Sequence, residues 1–145
     1  MSQRSAIVAM AVLVMLSLVL SACSGSAAPA TPQVKEVVVK VSEFAFSPAE
    51  IRAKVGQPMR IMLQNDGTLL HDMSSMDAMV EMMQSEGAGH EMGGMENQMK
   101  MHVAAEAGQK ATLEFKPTQA GTYELFCSVA GHKEAGMVGK LIVEP

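Results

Sequence analysis

The sequence predicts an all-β protein, an antiparallel sandwich or barrel of seven or eight short strands with one inserted segment. Apolar residues alternate with polar ones over short stretches, and glycine- and proline-containing turns separate those stretches. The chain has 145 residues, which suffices for one ordinary domain and argues against a multidomain enzyme. Its formal net charge of −4 provides no basic excess for binding a nucleic-acid backbone.

Residues 1–22 are predicted to be a lipoprotein signal peptide. After Arg4, the apolar run Ala6–Leu20 is shorter than the roughly 20 residues that a membrane span needs. The run ends in Leu20-Ser21-Ala22-Cys23, which resembles the bacterial lipobox. The resemblance implies that Cys23 is lipidated and becomes the first mature residue, whereas a plain signal peptide would leave it unmodified. We therefore expect an exported protein, tethered by lipid to the outer face of a bacterial membrane, periplasmic or at the cell surface.

Residues 23–33 are predicted to be a flexible linker, because they are small, polar and proline-containing. The folded domain is then residues 34–145, which is long enough to enclose a single core.

The strands are predicted from alternation along this domain. In the first strand Val37, Val39 and Val41 lie on one face, and the turn Asn65-Asp66-Gly67 closes the third strand. The complete predicted set is Lys35–Ser42, Glu50–Lys54, Met59–Gln64, Met99–Ala104, Lys110–Phe115, Gly121–Cys127 and Met137–Val143.

Residues 72–98 are predicted to be an acidic, methionine-rich insert that begins with a short helix. Nine of the 15 methionines lie between Met73 and Met101. Within Ser74–Glu86 the apolar residues follow the spacing of one helix face, namely Met76, Met79, Val80 and Met83. Ser74 with Asp77 three residues later resembles a capping box, and Gly87 is suited to end the helix, so a loop is expected over Gly87–Gly94.

The folded domain contains a single cysteine, Cys127, if Cys23 carries the lipid. A free thiol in an exported protein is either buried as a small apolar side chain or bound to a metal. Cys127, His132 and Met137 follow the spacing C-x4-H-x4-M, and His71 lies 56 residues before Cys127. A trigonal site of two imidazoles and one thiolate with a long axial thioether suits both Cu(II) and Cu(I), so little reorganises on electron transfer.

The stretch Gly121–Val143, GTYELFCSVAGHKEAGMVGKLIV, closely resembles the C-terminal hairpin and ligand loop of cupredoxins, the type 1 (blue) copper proteins. Its spacing is similar to that of auracyanin-type and plastocyanin-like members. The resemblance extends well over Met99–Glu144 and more loosely over Val34–His71, but it leaves out Ser74–Gln98.

The resemblance implies a cupredoxin-like Greek-key β-sandwich with one type 1 copper ion per domain. By the same resemblance the copper ligands are His71, Cys127, His132 and Met137. It further implies one-electron transfer between redox partner proteins, with no enzymatic activity and no small-molecule substrate. A structural envelope domain without metal would require the Cys/His/Met spacing to be accidental.

Two further residues, His102 and Asp72, bear on the assignment of the first ligand and on its surroundings. His102 is the rival to His71, which is favoured because it follows Leu69-Leu70 after a turn, where the family's first ligand histidine sits. The family usually has Asn after that histidine, but this chain has Asp72. We expect the Asp72 carboxylate to accept hydrogen bonds from Ser128 and to favour Cu(II) by its charge.

The function of the insert stays open among three alternatives. His90, Met92 and Met95 could form a second site for Cu(I), since thioethers select that ion. In that case the protein would bind, store or deliver copper outside the cytoplasm. Alternatively, the methionines pack a helix against the sandwich, or they form an adaptable docking surface whose acidic residues steer a basic redox partner.

Overall fold

The computed structural model of the protein describes residues 33–89, 94–95 and 97–145. The predicted signal peptide, Cys23, nearly all of the linker, His90 and Met92 lie outside the described residues. The described residues form ten strands: β1 (Lys35–Ser42), β2 (Ala45–Ser47), β3 (Glu50–Lys54), β4 (Met59–Asn65), β5 (His71–Ser75), β6 (Val80–Glu86), β7 (Met101–Ala105), β8 (Lys110–Pro117), β9 (Gly121–Phe126) and β10 (Val138–Glu144). Within the described ranges no helix is long and apolar enough to cross a membrane.

The strands form two five-stranded sheets. The first has the order β2-β1-β4-β8-β6, and the second has the order β3-β10-β9-β5-β7. The all-β fold is therefore confirmed, with β2, β5 and β6 added to the seven predicted strands. The sheets are mixed rather than antiparallel throughout, because β1 pairs with β4 and β3 pairs with β10 in parallel.

The core lies between the two sheets and follows from the alternation in the sequence. In β4, Met59, Ile61 and Leu63 are buried while the residues between them are partly exposed. β8 continues this layer, since Ile61 lies opposite Leu113 on the neighbouring strand. The other sheet contributes buried side chains such as Leu141. Apolar residues at every second position thus face the opposite sheet, as packed sandwiches require.

The predicted helix over Ser74–Glu86 is wrong. β5 ends at Ser75, and β6 pairs antiparallel with β8 across most of the segment, with a bulge at Met83. The methionines that matched helical spacing do not cover the core: Met76, Met79 and Met83 are 39%, 46% and 54% exposed. Pairing with an existing strand satisfies the backbone of residues 80–86, so local spacing does not decide its conformation. The alternative in which these methionines pack a helix on the sandwich is wrong for the same reason.

Gly87 has a packing role at the end of β6 instead of ending a helix. A Cβ atom at this position would clash with the Ala104 carbonyl oxygen and would lie 3.0 Å from the Ala111 side chain. The next residue, Ala88, donates its backbone N–H to the same Ala104 oxygen at 2.8 Å. The missing side chain therefore allows the chain to pass close to β7.

We predict that Gly87→Ala lowers the free energy of unfolding by about 1–3 kcal/mol, the usual cost of forcing extra volume into a packed site. Gly89→Ala is the matched control, because a Cβ at Gly89 meets nothing within 4 Å. Urea denaturation of both variants measures the difference. Equal midpoints for the two variants would show that the close passage at β7 is not required.

Candidate metal centre

Neighbouring strands and one loop bring four donor side chains to one end of the second sheet. His71 is the first residue of β5, Cys127 directly follows β9, and Met137 directly precedes β10. His132 lies in the loop between β9 and β10. Because β5 and β9 are adjacent, with Ser74 opposite Phe126, His71 is brought next to the Cys127 loop despite their separation in sequence.

Three of the donors meet closely. The ligand atoms of His71, Cys127 and His132 all lie within 4.8 Å of one another. The Cys127 Sγ is 3.4 Å from His132 Nδ1, and the centroids of the two imidazole rings are 4.9 Å apart. His71, Cys127 and the predicted axial ligand Met137 are 0% exposed, and His132 is 6% exposed. The arrangement is a closed cluster of two nitrogens and one sulfur beneath the surface.

The loop from Cys127 to Met137 is held by its own backbone. The Cys127 N–H donates to the Met137 carbonyl at 3.2 Å, and the Met137 N–H donates to the His132 carbonyl at 3.0 Å. Gly131 and Gly136 adopt left-handed φ values of 83° and 99°, which glycine accepts without steric cost. These bonds and turns fix the positions from which the thiol, the imidazole and the thioether project.

Asp72 joins the two chain segments that carry the donors. Its buried carboxylate accepts hydrogen bonds from the Ser128 N–H at 2.9 and 3.1 Å and from the Ser128 hydroxyl at 2.7 Å. Its own N–H donates to the Cys127 sulfur at 3.4 Å. The predicted bonding between Asp72 and Ser128 is confirmed, and it places a carboxylate beside the thiol.

His102 lies beside Ser74 and outside the cluster of donors. The structure brings His71, and not His102, together with Cys127 and His132. The Nδ1 of His102 lies 2.9 Å from the Ser74 hydroxyl oxygen, and that hydroxyl donates to Asp72 at 2.8 Å. His102 is therefore connected to the metal-binding residues through a chain of side chains, one step removed from the donors.

The electrostatics of the cluster favour uncharged donors. Burial, with the neighbouring His132 adding to it, lowers the pKa of His71. Burial, reinforced by the negative charge of Asp72, raises the pKa of the Cys127 thiol to about 11. A bound cation would reverse the penalty on the thiolate, since metal ligation stabilises the deprotonated sulfur.

The donor set fits a copper ion. Within the part of the chain that the structure describes, both ring nitrogens of His71 are buried and have no hydrogen-bond partner. A buried polar group without a partner lowers the stability of the fold by about 1–3 kcal/mol, so such an imidazole is expected where a bound ion occupies one of its nitrogens. Two imidazoles, a thiol and a thioether are the side chains that suit copper in both oxidation states.

Two residues that sequence reasoning missed hold the loop leading to His71. The Asn65 amide donates to the carbonyls of Leu69 and Ala105 at 2.7 and 2.9 Å. Glu43, from the turn between β1 and β2, accepts hydrogen bonds from Thr68. The Asn-Asp-Gly turn signalled Asn65 in the sequence, whereas no local pattern indicated Glu43.

A groove of about 400 Å³ lies beside the Cys127 loop. Met76 and Met95 line it together with Phe126, Cys127 and the start of the loop. Met95 is half-buried and is the one predicted second-site residue that the structure describes. The other two, His90 and Met92, lie outside the described residues, so their relation to Met95 stays a prediction.

Comparison with known proteins agrees with this geometry. The family model of the cupredoxin-like domain matches residues 9–143. The chain is 31% identical to the copper-resistant cuproprotein CopI of Pseudomonas aeruginosa, covering 83% of this chain and 82% of that protein. It is 32% identical to the protein of the same name from Rubrivivax gelatinosus, covering 82% of this chain and 70% of that protein. Among solved structures, auracyanin B superposes with a TM-score of 0.60 at 19% identity, covering 81% of this chain and 94% of that one.

The geometry and the family match together define the cofactor site. His71, Cys127, His132 and Met137 form a type 1 copper-like site. The likeness to auracyanin B supports the fold, while the donors and their burial support the metal.

We predict that Asp72→Asn makes the Cys127 thiol of the metal-free protein react several-fold faster with iodoacetamide at a fixed pH below 9. Removing the carboxylate charge lowers the thiol pKa, which increases the thiolate fraction. Asp77→Asn is the matched control, because Asp77 bonds to Ser75 and not to Ser128. Mass spectrometry of the Cys127 peptide separates this thiol from Cys23. Identical rates for Asp72→Asn and the parent protein would contradict the role of the Asp72 charge.

Proposed function

The chain belongs to the cupredoxin-like domain family, and on that premise we propose that it transfers single electrons through one copper ion. The ligands in this proposal are His71, Cys127, His132 and Met137. The observation that carries it is the close, buried approach of His71, Cys127 and His132, whose ligand atoms lie within 4.8 Å of one another.

The protein's contribution to electron transfer is to hold the donors still. A bound copper ion supplies the one-electron couple, and a site that suits both oxidation states keeps the reorganisation small. Buried donors exclude water, the loop hydrogen bonds fix Cys127 and Met137, and the Asp72–Ser128 bonds keep that loop against β5. The set of four protein donors leaves no position assigned to a substrate, so we expect no enzymatic turnover.

The proposed partners are redox proteins outside the cytoplasm. The signal-peptide and lipobox resemblances support export and a lipid tether at Cys23, which would hold the domain at the outer face of a membrane. An acidic chain, with a formal net charge of −4, favours encounters with basic partners.

We predict that the oxidised, copper-loaded protein binds one copper ion per chain and shows a strong thiolate-to-copper absorption in the visible region. Cys127→Ser should abolish this band and the corresponding paramagnetic resonance signal, because it removes the thiolate. Cys23→Ser is the matched control and should leave both unchanged. A colourless loaded protein, or a band that survives Cys127→Ser, would contradict the type 1 assignment.

A second candidate function is copper handling, and a specific observation favours it. Met76, Met79 and Met83 expose 39% to 54% of their surface, and Met95 lines the groove beside Cys127 with Met76. Exposed thioethers at such positions contribute little to a core and are suited to Cu(I). The relatives from Pseudomonas aeruginosa and Rubrivivax gelatinosus are named as copper-resistant cuproproteins. Storage or delivery would use a second Cu(I) site that includes Met95, with His90 and Met92.

If the protein handles copper, the reduced chain binds more than one Cu(I) ion, and replacing the thioethers removes the excess. Titration of the reduced proteins with Cu(I) compares the parent with the double variants Met76→Leu/Met95→Leu and His90→Ala/Met92→Leu. Leucine replaces methionine because it preserves the side-chain volume at small cost in stability. Met62→Leu in β4 is the control and should retain the parent stoichiometry. One Cu(I) per chain in every protein would eliminate the second site and leave the electron-transfer proposal intact.

A further inference from the structure

Phe44 has an unusual backbone for a large side chain. Its φ is 64°, and among the described residues it is the one non-glycine residue with a positive φ. It lies in the turn between β1 and β2, and the residue is 42% exposed. A bulky residue adopts this conformation only where surrounding contacts impose it. Because Phe44 is exposed, burial of its side chain does not explain the conformation.

The ring of Phe44 contacts a proposed ligand. It meets the His132 imidazole edge-on, with the centroids 5.2 Å apart and the planes at 85°. This is the favourable T-shaped arrangement for two aromatic rings. His132 is only 6% exposed, whereas Phe44, whose ring packs against it, is 42% exposed.

The residue before Phe44 reaches the loop that leads to the other imidazole. Glu43 Oε1 accepts hydrogen bonds from the Thr68 N–H at 2.6 Å and from the Thr68 hydroxyl at 2.8 Å. A Cβ at Gly67 would lie 2.9 Å from the same oxygen, so the glycine leaves room for the carboxylate. Thr68 precedes His71 by three residues, and the bond therefore anchors the segment that positions His71.

The pKa of Glu43 agrees with this bonding. The Thr68 N–H bond, with smaller help from the Thr68 hydroxyl, lowers the Glu43 pKa to about 2. Glu43 is thus a carboxylate acceptor at any pH at which the protein would be used.

We propose that Glu43 and Phe44 form a clamp on the metal centre: Glu43 fixes the loop before His71, and Phe44 holds and shields the His132 ring. The clamp acts on both imidazoles from a third segment of the chain, separate from β5 and the Cys127 loop. It would slow the escape of the bound ion by keeping both rings in place and by limiting access of water and competing ligands. The inference rests on the proposed ligand roles of His71 and His132.

The first test measures shielding in the metal-free full chain. Diethyl pyrocarbonate labels accessible imidazoles, and peptide mass spectrometry reports each histidine separately, with His102 as the internal reference. Phe44→Asn should raise His132 labelling about twofold to tenfold, the range expected for loss of one ring–ring contact. Phe44→Tyr keeps the ring and should label like the parent protein.

Phe44→Asn also separates shielding from a merely structural role. Asn accepts a left-handed backbone more readily than Phe, so the melting temperature should be unchanged or higher. A structural role predicts that labelling rises only when stability falls. Unchanged His132 labelling in Phe44→Asn would overturn the clamp, as would a rise that occurs only with a lower melting temperature.

The second test concerns Glu43. Glu43→Ala removes the acceptor of both Thr68 bonds and should raise His71 labelling, whereas Glu43→Gln keeps an acceptor oxygen and should stay close to the parent. Glu50→Ala, on the exposed side of β3, is the control. If Glu43→Ala labels His71 no faster than Glu50→Ala does, Glu43 does not hold the loop.

The third measurement uses copper-loaded protein and a Cu(I) chelator. Phe44→Asn, which loses a ring–ring contact, and Glu43→Ala, which loses hydrogen bonds, should each release copper about twofold to tenfold faster than the parent, while Phe44→Tyr and Glu43→Gln should not. If all variants release copper at the same rate although the labelling of His71 or His132 has changed, the proposal that the clamp slows the loss of copper is wrong. If the parent binds no copper, the proposed function fails, and the labelling of the metal-free chain still decides whether the clamp exists.

Discussion

The metal centre depends on the buried carboxylate of Asp72, which joins two segments of the chain. It accepts hydrogen bonds from Ser128, which lies 56 residues further along the sequence. β5 supplies His71, and the loop after β9 supplies Cys127, His132 and Met137. These strands are adjacent, but among the described residues Ser74 and Phe126 are the one pair in register between them, so the ladder itself provides little attachment at this end. The carboxylate compensates with charge-assisted hydrogen bonds, which are stronger than neutral ones. Without them, the two segments would be joined near the donors mainly by the Ser74–Phe126 pair and by the Asp72 N–H bond to the Cys127 sulfur.

This arrangement has a consequence for the metal-free protein. The His71 imidazole is buried with no hydrogen-bond partner among the described residues, and the Cys127 thiol is held protonated by burial and by Asp72. The cluster is therefore built at some cost to stability, and that cost is recovered when a cation ligates the nitrogens and the sulfur. Binding of the ion and stability of the fold are consequently linked, because a ligand that binds only the native state stabilises it.

The sequence predicted the parts of the structure that depend on local order. Cys127, His132 and Met137 lie within eleven residues, so one strand end and one turn-rich loop were enough to predict their convergence. Alternation in β4 and β8 predicted the core for the same reason. The helix failed because the conformation of residues 80–86 is decided by pairing with β8, which lies about thirty residues further along the chain. The turn at Glu43 and Phe44 was equally out of reach, since its contacts are distant in sequence: Glu43 bonds to Thr68, and the Phe44 ring packs against His132.

The methionines show most clearly why composition alone did not settle function. Met73 and Met101 are buried on paired strands and serve the core, as Met often does. Met76, Met79 and Met83 come from the same cluster in the sequence but lie exposed at or before the edge strand β6. Packing therefore accounts for the first group and not for the second. The groove lined by Met76 and Met95 touches the Cys127 loop, so a soft ion or a partner that used these thioethers would arrive beside the thiol. Both proposed functions therefore use residues at the Cys127 loop, and the number of Cu(I) ions bound distinguishes them.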